Sequence, residues 1–342
     1  MSQSAKILII YTGGTIGMVE DPISGSLRPF DFDHLLEEVP ELNKLNIDLK
    51  ALSIKEPIDS SNVSPNTWIE LIDIIEREYA FIDGFVILHG SDTMAYSASA
   101  LSFLLENVNK PIIFTGSQLP IGKIRTDGKE NLITAIEIAA AKENGIPIVP
   151  EVALYFEYSL YRANRTTKVS AENFEAFHSP NYPLLADAGV HIKYNRFVIK
   201  KPEEKKLICH KTINNNVASI KLFPGMTPSV FKAIAQIPEL KGLIIETFGS
   251  GNAPMQDWLT NELKQLIKKD VIVVNITQCT TGSVMQKKYE TGIHLETVGV
   301  LGGKDITFEA AITKLMYLLS CPELTIEEQK QLMLTNIRGE IS

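Results

Sequence analysis

Short runs of almost wholly apolar residues alternate along this chain with stretches of helical periodicity, and nothing else in the sequence restricts the fold so tightly. Residues 6–11 (KILIIY), 85–89 (FVILH), 111–115 (PIIFT) and 152–156 (VALYF) have the length and composition of strands buried on both faces. Between the first two, Ser64 and Pro65 set a capping residue before a proline, the order favoured at a helix start, and Trp68, Leu71, Ile72 and Ile75 follow at helical spacing. Helices are also expected over residues 93–106 and 129–141. This alternation predicts an α/β protein with mainly parallel sheets.

The pattern breaks after Pro180. Residues 182–206 read as irregular and end in the polar stretch KKPEEKK, after which a smaller alternating set resumes. Its strands are expected at 217–223, 242–246 and 271–275, and its helices at 255–268 and 308–320. The reading is a larger N-terminal α/β domain that carries the chemistry (residues 1–190), a linker (191–214) and a smaller C-terminal α/β domain (215–342). A length of 342 residues fits two domains at roughly 150 residues each.

Composition removes several function classes. The net charge of -8 and a pI of about 5.4 give no electrostatic basis for binding nucleic acid or an anionic membrane. Cys209, Cys279 and Cys321 lie far apart without CxxC spacing, unlike a disulfide framework or a zinc site. The first eleven residues lack the features of a signal peptide, and no apolar run reaches the length of a membrane span. A reducing cytoplasm is the expected location.

In open parallel sheets, ligands bind where strands end, and three strand ends here are unusually polar. The first, Thr12-Gly13-Gly14-Thr15-Ile16-Gly17, follows KILIIY; adjacent glycines allow a sharp turn and close approach of a ligand, presenting the hydroxyl of Thr15. A plain glycine-rich turn and a dinucleotide loop are the competing readings, although GGxxG is not GxGxxG. The second, His89-Gly90-Ser91-Asp92-Thr93-Met94, sets a hydroxyl beside a carboxylate before a helix. His89 reads as a satisfied structural group, and Asp92 either caps the helix or serves a site. The third, residues 162–168 (RANRTTK), ends in Lys168, a potential proton carrier if it arrives beside a carboxylate in a cleft. Residues 116–123 miss the P-loop pattern by one residue, and HExxH, GxSxG and histidine pairs at metal-ligand spacing are absent.

Taken together, YTGGTIG, DSSN, HGSDTMAYSASALSF, TGSQLP, RTDGKENL, YRANRTTK, FGSGNAP and QCTTGSV resemble, in order and over nearly the whole chain, the bacterial-type asparaginase family. RTTK and the lack of a signal peptide are similar to its cytoplasmic type I members. The resemblance implies a hydrolase that converts L-asparagine to L-aspartate and ammonia through a threonine nucleophile and an acyl-enzyme, without metal or organic cofactor. Thr15 would be the nucleophile, and Ser91, Asp92 and Lys168 a second triad. Backbone N–H groups around Ser91 would act as oxyanion donors. Asp59, Ser60 and Ser61 match the segment that holds the substrate α-carboxylate, Asp92 would also receive the α-ammonium group, and Ser117 matches a position near the scissile carboxamide. Asn252 matches an asparagine that reaches a neighbouring subunit's site, which implies an intimate dimer, with pairing into a tetramer left open.

Two departures stand out. Family members commonly carry a tyrosine in the loop after TGGTI that activates the nucleophile, whereas residues 18–30 contain none; Tyr289, after QCTTGSV, matches a tyrosine that some relatives use instead. Serine replaces the usual threonine at Ser91, keeping the hydroxyl and losing the methyl that restricts its rotamer. Some type I enzymes also bind asparagine at a regulatory site. Thr167 and Cys279 match it, but Glu246 replaces its arginine, so a carboxylate there would lose its charge partner. Two further readings stay in view. One is the asparaginase-like subunit of a tRNA-dependent amidotransferase, which is expected to carry an additional N-terminal domain before TGGTI. The other is a weakly catalytic amino-acid-binding protein, suggested by the missing loop tyrosine.

Overall fold

The computed structural model describes residues 4–20, 27–29, 39–286 and 290–342, which divide into two compact units, Met1–Lys211 and Thr212–Ser342. In the first unit the apolar runs form the strands they predict. Chain order gives β1 (Ala5–Tyr11), β2 (Ile47–Ser53), β3 (Gly84–Leu88), β4 (Ile112–Thr115), β5 (Val152–Phe156) and β6 (Ser159–Arg162). Then come the two-residue strands β7 (Thr167–Lys168) and β8 (Phe177–His178), followed by β9 (Ala186–Ala188) and β10 (Ile192–Tyr194). The main sheet has the order β10-β9-β6-β5-β4-β3-β1-β2. From β2 to β5 every pairing is parallel, and β6, β9 and β10 extend the sheet antiparallel, so it is mainly but not wholly parallel.

Among the described residues, three helices connect the parallel strands. In α1 (Pro65–Glu78) the sequence signal holds in detail: Pro65 occupies the first turn, and the Ser64 and Thr67 side chains close a capping box. Helix α2 (Met94–Leu104) is buried almost all round, as its run of small residues (AYSASALS) allows. Helix α3 (Gly128–Ala140) lays Leu132, Ala135, Ile136 and Ala139 into a core with Ile7 and Ile9 of β1. The alternate β1 residues, Leu8 and Ile10, are equally buried, so this strand has no solvent face.

The division between the units, after Lys211, falls within the stretch expected as a linker. Residues 191–214, expected as a linker, supply β10 and a short strand, Ile208–Cys209, that pairs with Leu105–Glu106 of the first unit. The irregular reading of residues 182–206 also needs correction, because β9 and β10 lie within it. Each has only three residues with mixed exposure, too short for a period-two pattern to stand out.

The second unit is a parallel sheet of β11 (Val217–Lys221), β12 (Gly242–Thr247), β13 (Ile272–Thr277) and β14 (Leu301–Gly302), in that order. Among the described residues, five helices accompany it: α4 (Pro228–Ala235), α5 (Asp257–Lys268), α6 (Glu290–Val298), α7 (Phe308–Leu318) and α8 (Ile326–Leu334). Phe231 of α4 and Leu259, Leu263 and Leu266 of α5 pack with Leu243 and Ile245 of β12 on one face. Near Gly242, at the start of β12, lies Leu315 of α7. Among the described residues, no helix is long and apolar enough to cross a membrane.

Candidate active site

The candidate residues of the first unit gather at the C-terminal ends of four adjacent parallel strands, β4, β3, β1 and β2. The ladder continues past the strand ends. Thr12 N–H donates to Leu88 O (3.0 Å), His89 N–H to Thr115 O (2.9 Å) and Ile58 N–H to Thr12 O (2.9 Å), so the loops are pinned to one another at their roots. Gly13 and Gly14 then turn with φ of 116° and 86°, in the region that disfavours any residue with a Cβ. Space forbids one as well: a Cβ on Gly13 would lie 2.1 Å from Ile58 O, and one on Gly14 2.5 Å from the Gly90 Cα. Two strand-end turns therefore abut through bare backbone, and Thr15 and Ser91 are the next residue in each.

Thr15 opens a single 3-10 turn, Thr15–Gly17, and is half-buried. Beneath the turn the Tyr11 hydroxyl donates to Gly17 O at 3.1 Å, and burial pushes its pKa up to about 12. Tyr11 thus braces the Thr15 turn and is no proton acceptor near neutrality. Ser60 is buried at the start of another short turn, Ser60–Asn62, whose cap is Asp59. The exposed Asp59 carboxylate accepts from Ser61 N–H (2.8 Å) and Oγ (2.7 Å), and these bonds hold it below the usual carboxylate range. The Ser60 hydroxyl would lie 2.6 Å from a Cβ on Gly90, so it faces the same glycine that Gly14 abuts.

Lys168 reaches this cluster on the ribbon β7–β8, where it is the register partner of Phe177. Its Nζ donates to Ser91 Oγ at 2.9 Å and to Asp92 Oδ1 at 2.7 Å. The Asp92 carboxylate turns to Lys168, and Thr93, the residue before α2, makes no side-chain cap bond. The Lys168 side chain is 17% exposed and that of Asp92 65%, so the pair opens to solvent on the carboxylate side. Two other residues of the RANRTTK motif, Arg162 and Thr166, are tied into the surrounding structure. Arg162 donates to buried Glu151 at 2.7 and 3.2 Å, and Thr166 Oγ1 donates to Arg162 O.

Sequence reasoning missed three supporting residues. Gln118 accepts from Ser91 Oγ (3.2 Å), and its amide donates to Asn173 O (3.0 Å). Asp127 receives the backbone N–H of Gln118 and Leu119, which fixes the loop bearing Ser117; burial is the first influence on its pKa and raises it. Thr93 Oγ1 donates to Ser60 O at 2.6 Å. Only the position of Gln118 beside Ser117 in TGSQLP hinted at such a part. Ser117 Oγ itself donates to Leu119 O at 2.6 Å.

His89 is the satisfied structural histidine its sequence position suggested. Because Gly90 O (2.7 Å) can only accept, Nδ1 carries the proton; Nε2 then accepts from Ser97 Oγ (2.9 Å), which accepts from Trp68 Nε1 (2.9 Å). Complete burial lowers its pKa to about 4, so the ring is neutral near pH 7. The bond to Gly90 O also fixes the Gly90–Ser91 peptide, whose other group is the Ser91 N–H.

The other candidates belong to different places. Thr167 pairs with His178 in the first unit. In the second unit, Asn252 forms an isolated antiparallel bridge with Phe248. Gln278 Nε2 donates to Glu246 O at 2.8 Å, and the exposed Cys279 lies two residues past the end of β13. Tyr289 lies outside the described residues. Among the described residues, no group of three His, Cys, Asp or Glu side chains is placed to hold a metal ion.

Residues 6–200 match the family description "Asparaginase, N-terminal", and residues 216–333 match "Glutaminase/Asparaginase C-terminal domain". The chain is 41% identical over 346 residues to L-asparaginase 1 of Escherichia coli strain K12, covering 99% of both chains. It is 38% identical over 364 residues to the 60 kDa lysophospholipase of Mus musculus, covering all of this chain and 63% of that protein. The crystal structure of L-asparaginase I from Vibrio cholerae O1 biovar eltor superposes with a TM-score of 0.89 at 38% identity, covering 99% of both chains. These matches span both units, and the chain belongs to the bacterial-type asparaginase family, on its type I side.

Proposed function

We propose that this protein hydrolyses L-asparagine to L-aspartate and ammonia through an acyl-enzyme on Thr15. The observation that carries the reading is the Lys168 ammonium bonded at once to Ser91 Oγ and Asp92, in a loop whose glycine abuts the turn bearing Thr15. In this reading Thr15 Oγ1 attacks the side-chain carboxamide carbon, the C–N bond breaks, and the leaving NH2 group takes up the proton lost by the threonine hydroxyl and departs as ammonia. Water then adds to the ester, releasing aspartate and restoring the threonine hydroxyl. The Ser91 N–H, oriented through the His89 bond to Gly90 O, is a suitable donor to the tetrahedral oxygen. Ser60 holds the α-carboxylate, the solvent-facing Asp92 carboxylate receives the α-ammonium group, and Ser117 lies near the carboxamide. Lys168 donates to the Ser91 hydroxyl, which in turn donates its own hydrogen bond to Gln118 Oε1.

Several finer points belong to the same proposal. Tyr289 takes the part of the tyrosine missing from the loop after TGGTI. The protein works in the cytoplasm as an intimate dimer in which Asn252 completes the neighbouring subunit's site. Glu246, standing where a regulatory arginine is found in relatives, argues against tight binding of a second asparagine beside Thr167 and Cys279.

Steady-state ammonia release from asparagine and glutamine tests the reading. Wild-type protein releases ammonia from asparagine, and Thr15→Ala keeps its fold and loses that activity. Undiminished turnover in Thr15→Ala would refute the nucleophile; saturable asparagine binding by the wild type without ammonia release would favour an amino-acid-binding protein instead.

A further inference from the structure

Lys168 meets Ser91 and Asp92 from a ribbon of two strands with two residues each, β7 and β8. A ribbon of that size is marginal by itself, so whatever seats it on the rest of the unit also places the ammonium. Its backbone pattern shows where such support attaches. Val169 N–H donates to Ala176 O at 2.8 Å, so the preceding pair, Lys168 and Phe177, is the one without mutual backbone bonds. In such a pair the side chains lie close together, and the backbone N–H and C=O of both residues point out of the ribbon. Phe177 O therefore has no partner within the ribbon, on a residue that is only 3% exposed.

A side chain of the main sheet meets that carbonyl. The Tyr161 hydroxyl donates to Phe177 O at 3.0 Å. Tyr161 belongs to β6, a strand held on both edges: it pairs with Leu154 of β5, and its neighbour Leu160 pairs with Tyr155 of β5 and Ala186 of β9. Leu160 points into the core beneath α3, so Tyr161, the next residue along the strand, points to the other face. On that face the Phe177 ring also meets Phe156 of β5 edge-on, with centroids 5.0 Å apart. The ribbon thus sits on the rigid part of the sheet through a ring contact and a hydrogen bond. Burial is the first influence on the Tyr161 hydroxyl and raises its pKa, so it stays a donor near neutrality.

We propose that Tyr161 is a positioning residue for the reaction: its hydroxyl holds the Phe177 carbonyl, and through that cross-strand pair it sets Lys168 against Ser91 and Asp92. This rests on the reading that gives Lys168 a part in the Thr15 centre. Tyr161→Phe removes one oxygen and leaves the ring in place. A buried carbonyl then lacks its donor, and the ribbon shifts to let water reach it. A misplacement of about 1 Å costs about a hundredfold in rate, and the flexible lysine stem absorbs part of it, so a loss of about tenfold is expected.

Two measurements on the full-length protein test this. The first is the rate at which acetic anhydride labels Lys168, read by mass spectrometry with exposed Lys264 as the internal standard. Tyr161→Phe should raise it by about threefold or more, because a looser ribbon frees the amine. The second is steady-state ammonia release from asparagine. Tyr161→Phe should lower kcat by about tenfold with KM within about twofold, and adding it to Lys168→Met should cause no further loss. Unchanged labelling of Lys168, unchanged kcat, or a further loss in the double variant would each overturn the proposal. A Tyr161→Phe protein that does not fold would assign the hydroxyl to the scaffold and overturn it as well. If labelling rises but the unaltered protein releases no ammonia, the placement of Lys168 stands and the hydrolase reading is what fails.

Discussion

Two lysine–carboxylate pairs in this molecule use the same groups to opposite ends. In the second unit Lys314 and Glu340 are both fully buried and bonded to each other. The Lys314 ammonium also donates to Met333 O and Thr335 O, and the Glu340 carboxylate accepts the N–H of Ile337 and Arg338. Every proton of that ammonium has an acceptor in the protein, so the pair locks α7 to the segment after α8 and has nothing left to offer a ligand. In the first unit Lys168 makes two bonds, one of them to a hydroxyl, and its partner Asp92 is 65% exposed. Burial with complete ligation makes a structural tie; partial ligation at a strand end leaves capacity for chemistry.

The contrast breaks most readily at Lys168. Removing a positioned proton-handling group costs up to about 10⁴-fold in rate, so Lys168→Met should lower kcat/KM by about that factor, some 5 kcal/mol, with little change in thermal stability. Steady-state kinetics beside a melting curve measures both. Lys314→Met should do the reverse, leaving kcat/KM nearly intact while destabilising the protein by about 4 kcal/mol, because it strands the Glu340 charge in the interior. Urea unfolding reads that loss, and an equal effect of both substitutions on activity would erase the distinction.

A third and smaller effect sharpens the comparison by testing a buried group that is neutral. The native pKa of His89, about 4, lies below its ordinary value of 6.5, so between these values the unfolded chain holds the extra proton. The stability contribution is therefore whole above pH 6.5 and is lost as pH falls towards 4, amounting to about 3 kcal/mol. His89→Gln should flatten that part of the curve of unfolding free energy against pH.

The sequence revealed the frame of the fold for a simple reason. Strands such as KILIIY are buried on both faces, and α1 carries its own cap signals, so local composition reports burial directly. The strands β9 and β10 were hidden because they extend the sheet where exposure is mixed and only three residues pair. The candidate site was legible at its glycine turns, where backbone geometry dictates residue type. Lys168 was not legible on its own residues: it meets Asp92 across 76 positions of sequence, through a ribbon of two-residue strands that no local periodicity announces. Gln118 and Asp127 stayed hidden for the same reason, since their work is to hold a loop through long-range bonds.

The most direct test of the account is to catch the covalent intermediate. Acid quenching during the first turnovers with asparagine, followed by mass spectrometry of the peptide containing Thr15, should show one aspartyl group on that residue and none in Thr15→Ala. Full turnover with no adduct on Thr15, or an adduct on Ser91 in its place, would contradict it.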